Sequence, residues 1–217
     1  MTSFDDPAYK IAEFLLQIKA VKLQPENPFT WASGWKSPIY CDNRKTLSYP
    51  SIRTYIRQQF VETINKHFAK PDVIAGVATG GIAVGALVAQ EMNLPFVYVR
   101  SEAKKHGLTN TVEGEIQSGQ SVVVIEDLIS TGSSSLKAVE ALREKGCNVK
   151  GMVSIFTYGF AEADQNFKKA KCIVKTLTSY DVLINRALQK EYITEKEFES
   201  LKAWKSNPSE WKGSLVK

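Results

Sequence analysis

Apolar positions along this chain recur with two different periods. Near the start, Ile11, Phe14, Leu15 and Ile18 return at helical spacing, and Asp5, Asp6 and Pro7 supply the signals that open a helix. Residues 24–50 keep no period and are rich in Pro, Ser, Gly and aromatic side chains. A loop of that length inside a compact domain is usually functional. Residues 51–69 are helical again, with Ile52, Tyr55, Ile56, Phe60 and Ile64 on one face. From Pro71 onward, short apolar runs alternate with helical stretches. Strands are predicted at 72–77, 96–100, 121–125, 149–158 and 172–177. Helices are predicted at 82–92, 133–145, 181–189 and 194–203. A polar, glycine-dotted stretch, 101–119, separates the second of these strands from the third. The pattern predicts an α/β domain with a mostly parallel central sheet flanked by helices on both faces. Ligands of such sheets sit beyond the carboxyl ends of the strands.

Composition narrows the picture. Hydrophobic residues make up 43% of the 217 positions and charged residues 24%, an ordinary globular balance. No repeat, low-complexity tract or long linker divides the chain, so a single domain over 1–217 is expected. The net charge of +5 fits an anionic small substrate. The lysines are too scattered for a nucleic-acid surface, and Lys104-Lys105-His106 is too short to make one. Cys41, Cys147 and Cys172 lack metal-ligand spacing and read as reduced thiols in a cytoplasm. The first ten residues are polar and do not form a signal peptide. No apolar run approaches the ~20 residues needed to span a bilayer.

The strongest chemical signal lies at 122–135, Val-Val-Val-Ile-Glu-Asp-Leu-Ile-Ser-Thr-Gly-Ser-Ser-Ser. A buried strand ends in two carboxylates, Glu126 and Asp127. The turn that follows, Ser130, Thr131 and Gly132, opens into a helix at Ser133, Ser134 and Ser135. The first amides of a helix lack intrahelical partners and, with the helix dipole, make an anion site suited to phosphate. The acids repel a phosphate but suit neighbouring hydroxyls, or a magnesium ion carried by the ligand. One segment therefore reads a phosphate and a polyol side by side, as a ribose 5-phosphate presents them. The Ser/Thr turn taken alone reads better as an ordinary N-capped helix; the whole string does not. The segment is neither a Walker loop nor a dinucleotide fingerprint.

Three further segments are candidates. Residues 98–107 end a strand at Arg100 and carry Lys104, Lys105 and His106 between polar residues. They form either a solvated loop or a set of cations placed to neutralise a leaving anion. Residues 29–44 hold Trp31, Ser33, Gly34, Lys36, Ser37, Pro38, Tyr40 and Cys41, a lid or simply core under a loop. Residues 76–81 end a strand in Thr79-Gly80-Gly81. They form either a plain turn or a close backbone approach to a ligand.

The segment 122–135 closely resembles the ribose-phosphate motif of type I phosphoribosyltransferases, which bind 5-phosphoribosyl 1-pyrophosphate (PRPP). The pattern Val-Arg-x-x-x-Lys-x-His-Gly at 99–107 resembles the catalytic loop of orotate phosphoribosyltransferases. Ser-Gly-x-Lys-Ser-Pro-x-Tyr at 33–40 resembles their N-terminal hood. The resemblance runs from about Phe14 to the last helix. It implies a type I phosphoribosyltransferase fold with a hood over residues 1–50, joined by the C-terminal helices, and a PRPP-binding core near 71–180. It implies transfer of ribose 5-phosphate from PRPP to orotate, with Lys104, His106, Glu126 and Asp127 as catalytic residues. PRPP contacts are implied at Arg100, Lys104, Lys105, His106, Glu126, Asp127, Leu128, Ile129, Ser130, Thr131, Gly132, Ser133 and Ser134. Orotate contacts are implied at Lys36, Tyr40, Cys41 and Ser130. Magnesium is implied as an ion bound mainly through PRPP, with no dedicated protein ligands, and a homodimer is implied in which the loop is shared across the interface. The chain departs from the family at Ala32, Gly80 and Ser101, where many members carry a basic residue. It also lacks the Arg that often follows the fifth strand, here Phe156-Thr157-Tyr158. Lys36, Arg44 and Lys105 are the nearest substitutes. The competing readings are transfer to another base and a PRPP-sensing regulator. The regulator would need a nucleic-acid-binding element, and the sequence shows none.

Overall fold

The computed structural model describes residues 6–31, 34–100, 111–211 and 213. Among them the elements run α1 (Pro7–Gln17), β1 (Val21–Leu23), β2 (Phe29–Thr30), β3 (Lys36–Ser37), β4 (Ile39–Cys41), a 3₁₀ helix (Asn43–Ser48), α2 (Pro50–His67), β5 (Val73–Val77), α3 (Gly80–Met92), β6 (Phe96–Val99), β7 (Val112–Glu113), β8 (Ser121–Ile129), α4 (Ser133–Glu144), β9 (Asn148–Thr157), α5 (Ala161–Lys169), β10 (Val174–Ser179), α6 (Tyr180–Gln189) and α7 (Glu195–Ser206). They gather into two compact units, residues 1–46 with 178–217, and residues 47–177.

In the first unit α1 starts where Asp6 accepts a hydrogen bond from the Ala8 amide at 2.9 Å and Pro7 occupies the first turn. Its buried face is Ile11, Ala12, Leu15 and Leu16, one position round from the predicted Phe14 and Ile18. The aperiodic stretch 24–50 is not plain loop. It contains β2 and β3, paired antiparallel, β4 paired with β1, and the 3₁₀ helix. Trp204 of α7 is fully buried. It donates from Nε1 to the Lys36 carbonyl at 3.2 Å and meets the Trp31 ring edge-on at 5.6 Å.

The second unit holds the central sheet, in the order β10-β9-β8-β5-β6-β7. The pairs β5–β6, β5–β8 and β8–β9 are parallel; β7 closes the β6 edge antiparallel. The predicted α/β class, with a mostly parallel sheet flanked by helices, is what this unit shows. β8 runs through Ile129 instead of ending at Ile125, because β9 is long enough to pair with Glu126, Leu128 and Ile129. Val122 and Val124, one face of β8, pack in one buried cluster with Ala138, Val139 and Leu142 of α4. α5 fills a segment where no element was expected.

Candidate active site

Strand order reverses beside β5, with β6 on one side and β8 on the other. In open parallel sheets such a reversal leaves a crevice at the carboxyl ends of the two strands, and ligands bind there. The segments 76–81 and 126–135 both leave the sheet at this point. A Cβ on Gly81 would collide with the Ile125 carbonyl, and a Cβ on Gly80 would overlap the Asp127 carboxylate. The turn after β5 is thus pressed against the end of β8, and glycine is what permits it.

The two acids take opposite faces, because successive side chains of a strand do. Glu126 follows Val122 and Val124 onto the α4 face and is only 4% exposed. Its Oε2 accepts from the Ser135 hydroxyl at 2.8 Å and its Oε1 from the Asp127 amide at 3.0 Å. Burial, and then the neighbouring Asp127 charge, push the Glu126 carboxyl well above the usual carboxylate range, although the Ser135 hydrogen bond opposes them. Asp127 lies half-buried on the opposite face, against Gly80.

Beyond the acids, the turn is built for an anion. Gly132 occupies the N-cap of α4 at φ +80°, and a Cβ there would meet the Phe167 ring at 2.7 Å. With no side chain at Gly132, nothing from the N-cap residue covers the first α4 amides, and Ser133 and Ser134 are exposed. The Thr131 and Ser133 hydroxyls lie 3.2 Å apart, so they converge on one place. From α5, Asn166 donates to the Thr131 carbonyl at 3.0 Å and fixes the turn from behind. Asn166 was not foreseen, and Ser135 only as the last residue of the 122–135 segment. The signal for α5 was present: Ala163 and Phe167 stand four apart, with acids in the first turn and lysines in the last.

Arg100 follows β6 directly. Its guanidinium donates to Glu113 of β7 at 3.4 Å. Lys104, Lys105 and His106 lie outside the described residues, as do Ala32 and Ser101. Of the predicted base contacts, Lys36, Tyr40 and Cys41 belong to the first unit and Ser130 to the second. Lys36 reaches the Thr30 hydroxyl at 2.8 Å, exposed Tyr40 packs on Phe29, and the Cys41 thiol donates to Asn43 at 3.3 Å. At the end of β9 this chain builds an aromatic ladder. Phe156 meets Tyr158 edge-on, and Tyr158 stacks on Phe160.

A mostly parallel sheet whose switch point carries an acid pair, a glycine turn and an uncapped helix N-terminus suits a ligand with an anionic end beside hydroxyls, as a phosphoribosyl group presents them. The family model described as Phosphoribosyl transferase domain matches residues 49–186. The orotate phosphoribosyltransferase of Phocaeicola vulgatus is 60% identical over 200 residues, 92% of this chain and 94% of that protein. The solved orotate phosphoribosyltransferase of Aeropyrum pernix superposes with a TM-score of 0.73 at 27% identity, over 85% of this chain and 99% of that one. UMP synthase of Leishmania donovani gives 0.77 at 26% identity, over 92% of this chain and 42% of that one. The chain belongs to the phosphoribosyltransferase family and, within it, to the orotate phosphoribosyltransferases.

Proposed function

We propose that the chain transfers the 5-phosphoribosyl group of PRPP to orotate, yielding orotidine 5'-monophosphate and pyrophosphate in pyrimidine biosynthesis. The observation that carries this reading is geometric. A phosphate cradle and an acid pair share the single segment 126–135 at the switch point of the sheet. The relatives at 60% identity point to the base.

The 5-phosphate takes the amides and hydroxyls of residues 128–134: Leu128, Ile129, Ser130, Thr131, Gly132, Ser133 and Ser134. The acid pair Glu126 and Asp127 serves the ribose side of the ligand. Arg100 exchanges Glu113 for the pyrophosphate, joined by Lys104, Lys105 and His106. Lys36, Tyr40, Cys41 and Ser130 serve orotate. The bond from the anomeric carbon to pyrophosphate breaks and its electron pair leaves with the pyrophosphate. A bond from deprotonated orotate N1 forms at the same carbon. Positive charge that builds on the sugar is favoured by the nearby carboxylate, and negative charge on the leaving group by the cations.

The donors on the ligand side of the cradle are hydroxyls, amides and a carboxylate. That set suits a magnesium ion carried mainly by the oxygens of PRPP, and such an ion would supply charge neutralisation of the pyrophosphate. A homodimer that shares the loop holding Lys104, and a cytoplasmic location, belong to the same reading. The described cysteines, all free thiols, are in keeping with the latter. The test is spectrophotometric: orotate absorbance falls when PRPP and magnesium are both present, and not when either is left out. Turnover of adenine or hypoxanthine in place of orotate overturns the base assignment.

A further inference from the structure

The acid pair is one motif in sequence and two structures in space. Glu126 spends both carboxylate oxygens inside the protein, one on the Ser135 hydroxyl and one on the Asp127 amide. Ser135 is 1% exposed and sits in the first turn of α4, the helix whose N-terminal amides form the phosphate cradle. The Asp127 amide belongs to the residue whose own carboxylate lies on the opposite face of β8. A single buried side chain therefore ties the helix to the strand at the two points that meet a phosphoribosyl group. Those points are the start of α4, for the phosphate, and Asp127, for the ribose hydroxyls.

A phosphoribosyl group presents its phosphate and its ring hydroxyls at a separation set by its covalent frame. A site that binds both ends gains affinity only when its two halves are held at the matching distance. Between Asp127 and α4 the backbone runs through Leu128 and Ile129, still paired with β9, and then through Ser130, Thr131 and Gly132, small residues that do not hold a distance by themselves. Asn166 pins the middle of that turn through Thr131.

We propose that Ser135 is a positioning residue for phosphoribosyl transfer: through Glu126 it sets the spacing between the phosphate cradle of α4 and the Asp127 carboxylate. Glu126 then serves the ribose from behind Asp127, as the strut between the two points. This inference rests on the phosphoribosyl reading of the site.

The experiment compares Ser135→Ala, Ser135→Thr, Glu126→Ala and the double variant Ser135→Ala/Glu126→Ala with the natural chain. PRPP affinity is read by calorimetry, and KM for PRPP, KM for orotate and kcat are read separately by absorbance. Ser135→Ala should weaken PRPP at least ~5-fold, the scale of one lost hydrogen bond to a carboxylate, while the orotate KM stays within about 2-fold. Ser135→Thr, which restores the hydroxyl, should recover most of the loss. The double variant should bind PRPP no worse than Glu126→Ala, because without the carboxylate the hydroxyl has nothing to hold. Unchanged PRPP affinity in a folded Ser135→Ala, failure of Thr to rescue, or simple additivity in the double variant each overturns the proposal. If Glu126→Ala does not fold, the Ala and Thr variants of Ser135 decide it between them. If the natural chain binds PRPP but does not consume orotate, the proposed acceptor falls, and the calorimetric comparison still decides the role of Ser135.

Discussion

At the scale of residues, Asp127 is the side chain on which the proposed chemistry most depends. It lies at the end of β8 on the face turned to Gly80, opposite buried Glu126. Asp127→Asn keeps the shape and removes the charge, so folding should survive. We expect turnover to fall at least ~10-fold, about 1.4 kcal/mol of transition-state stabilisation, with PRPP binding weakened as well. Steady-state kinetics beside a thermal melt check this, and unchanged kinetics with an unchanged melt would remove Asp127 from the site. That Glu126 and Asp127 are candidates was legible from a doublet placed between an apolar strand and a glycine turn. Their division was not, because it depends on the strand continuing past Ile125, so that neighbours alternate between faces. Gly80 teaches the same lesson. In the sequence it is a missing lysine, and in the structure its bare Cα is what makes room for the Asp127 carboxylate.

At the scale of elements, long strongly patterned stretches were readable and short ones were not. Of the face its spacing predicts, α2 buries Ile52, Ile56, Phe60 and Ile64 and leaves Tyr55 half-buried. The strands β2, β3 and β7 span two residues each, too few to show a period, and their pairing partners alone define them. α1 and α6 illustrate pairing from distant sequence. Arg186 donates to the Glu13 carboxylate from both Nε and Nη2, and Lys190 lies 3.2 Å from the other oxygen. Burial pushes the Glu13 carboxyl upward. The hydrogen bonds and charges of Arg186 and Lys190 outweigh it and hold the group below its ordinary 4.5. The folded state thus binds the Glu13 proton less readily than the unfolded chain. Its contribution to stability is present above the ordinary value and is lost as pH falls through the lowered one. Glu13→Gln should cost about 1 kcal/mol at neutral pH, roughly 2–4 °C in a chain of this size. The gap to the natural chain should close on acidification below 4.5. Melts recorded across that range provide the check, and a gap that stays constant with pH would assign the loss to packing instead of charge.

At the scale of the whole molecule, the proposed homodimer makes a prediction that no single subunit can satisfy. If the loop holding Lys104 serves the partner's site, Lys104→Ala and Asp127→Asn damage different halves of each site. A mixed dimer of these two inactive variants then has one site with both defects and one with neither. By random pairing roughly half the dimers are mixed, so mixing should restore about a quarter of the natural activity. If the loop serves its own subunit, every site keeps a defect and nothing returns. No recovery, with subunit exchange verified by mass-tagged protomers, would leave the transfer reaction standing and remove the shared loop.

The sequence by itself determined the class of fold and marked the segment proposed as the cradle. Those depend on local signals: a buried apolar run, a doublet of acids, small residues before a helix, and the resulting uncompensated amides. It also carried the family resemblance, since the motifs stand in order along one chain. Only the tertiary structure decided which acid faces the α4 helix and which faces Gly80. It alone showed that Asn166 of α5 pins the turn at Thr131 and that Arg100 rests on Glu113. The reason is physical. Periodicity and turn chemistry act over a few residues, whereas the partner of a buried polar group is chosen by strand register and helix packing. Those join positions such as Thr131 and Asn166 that lie far apart along the chain.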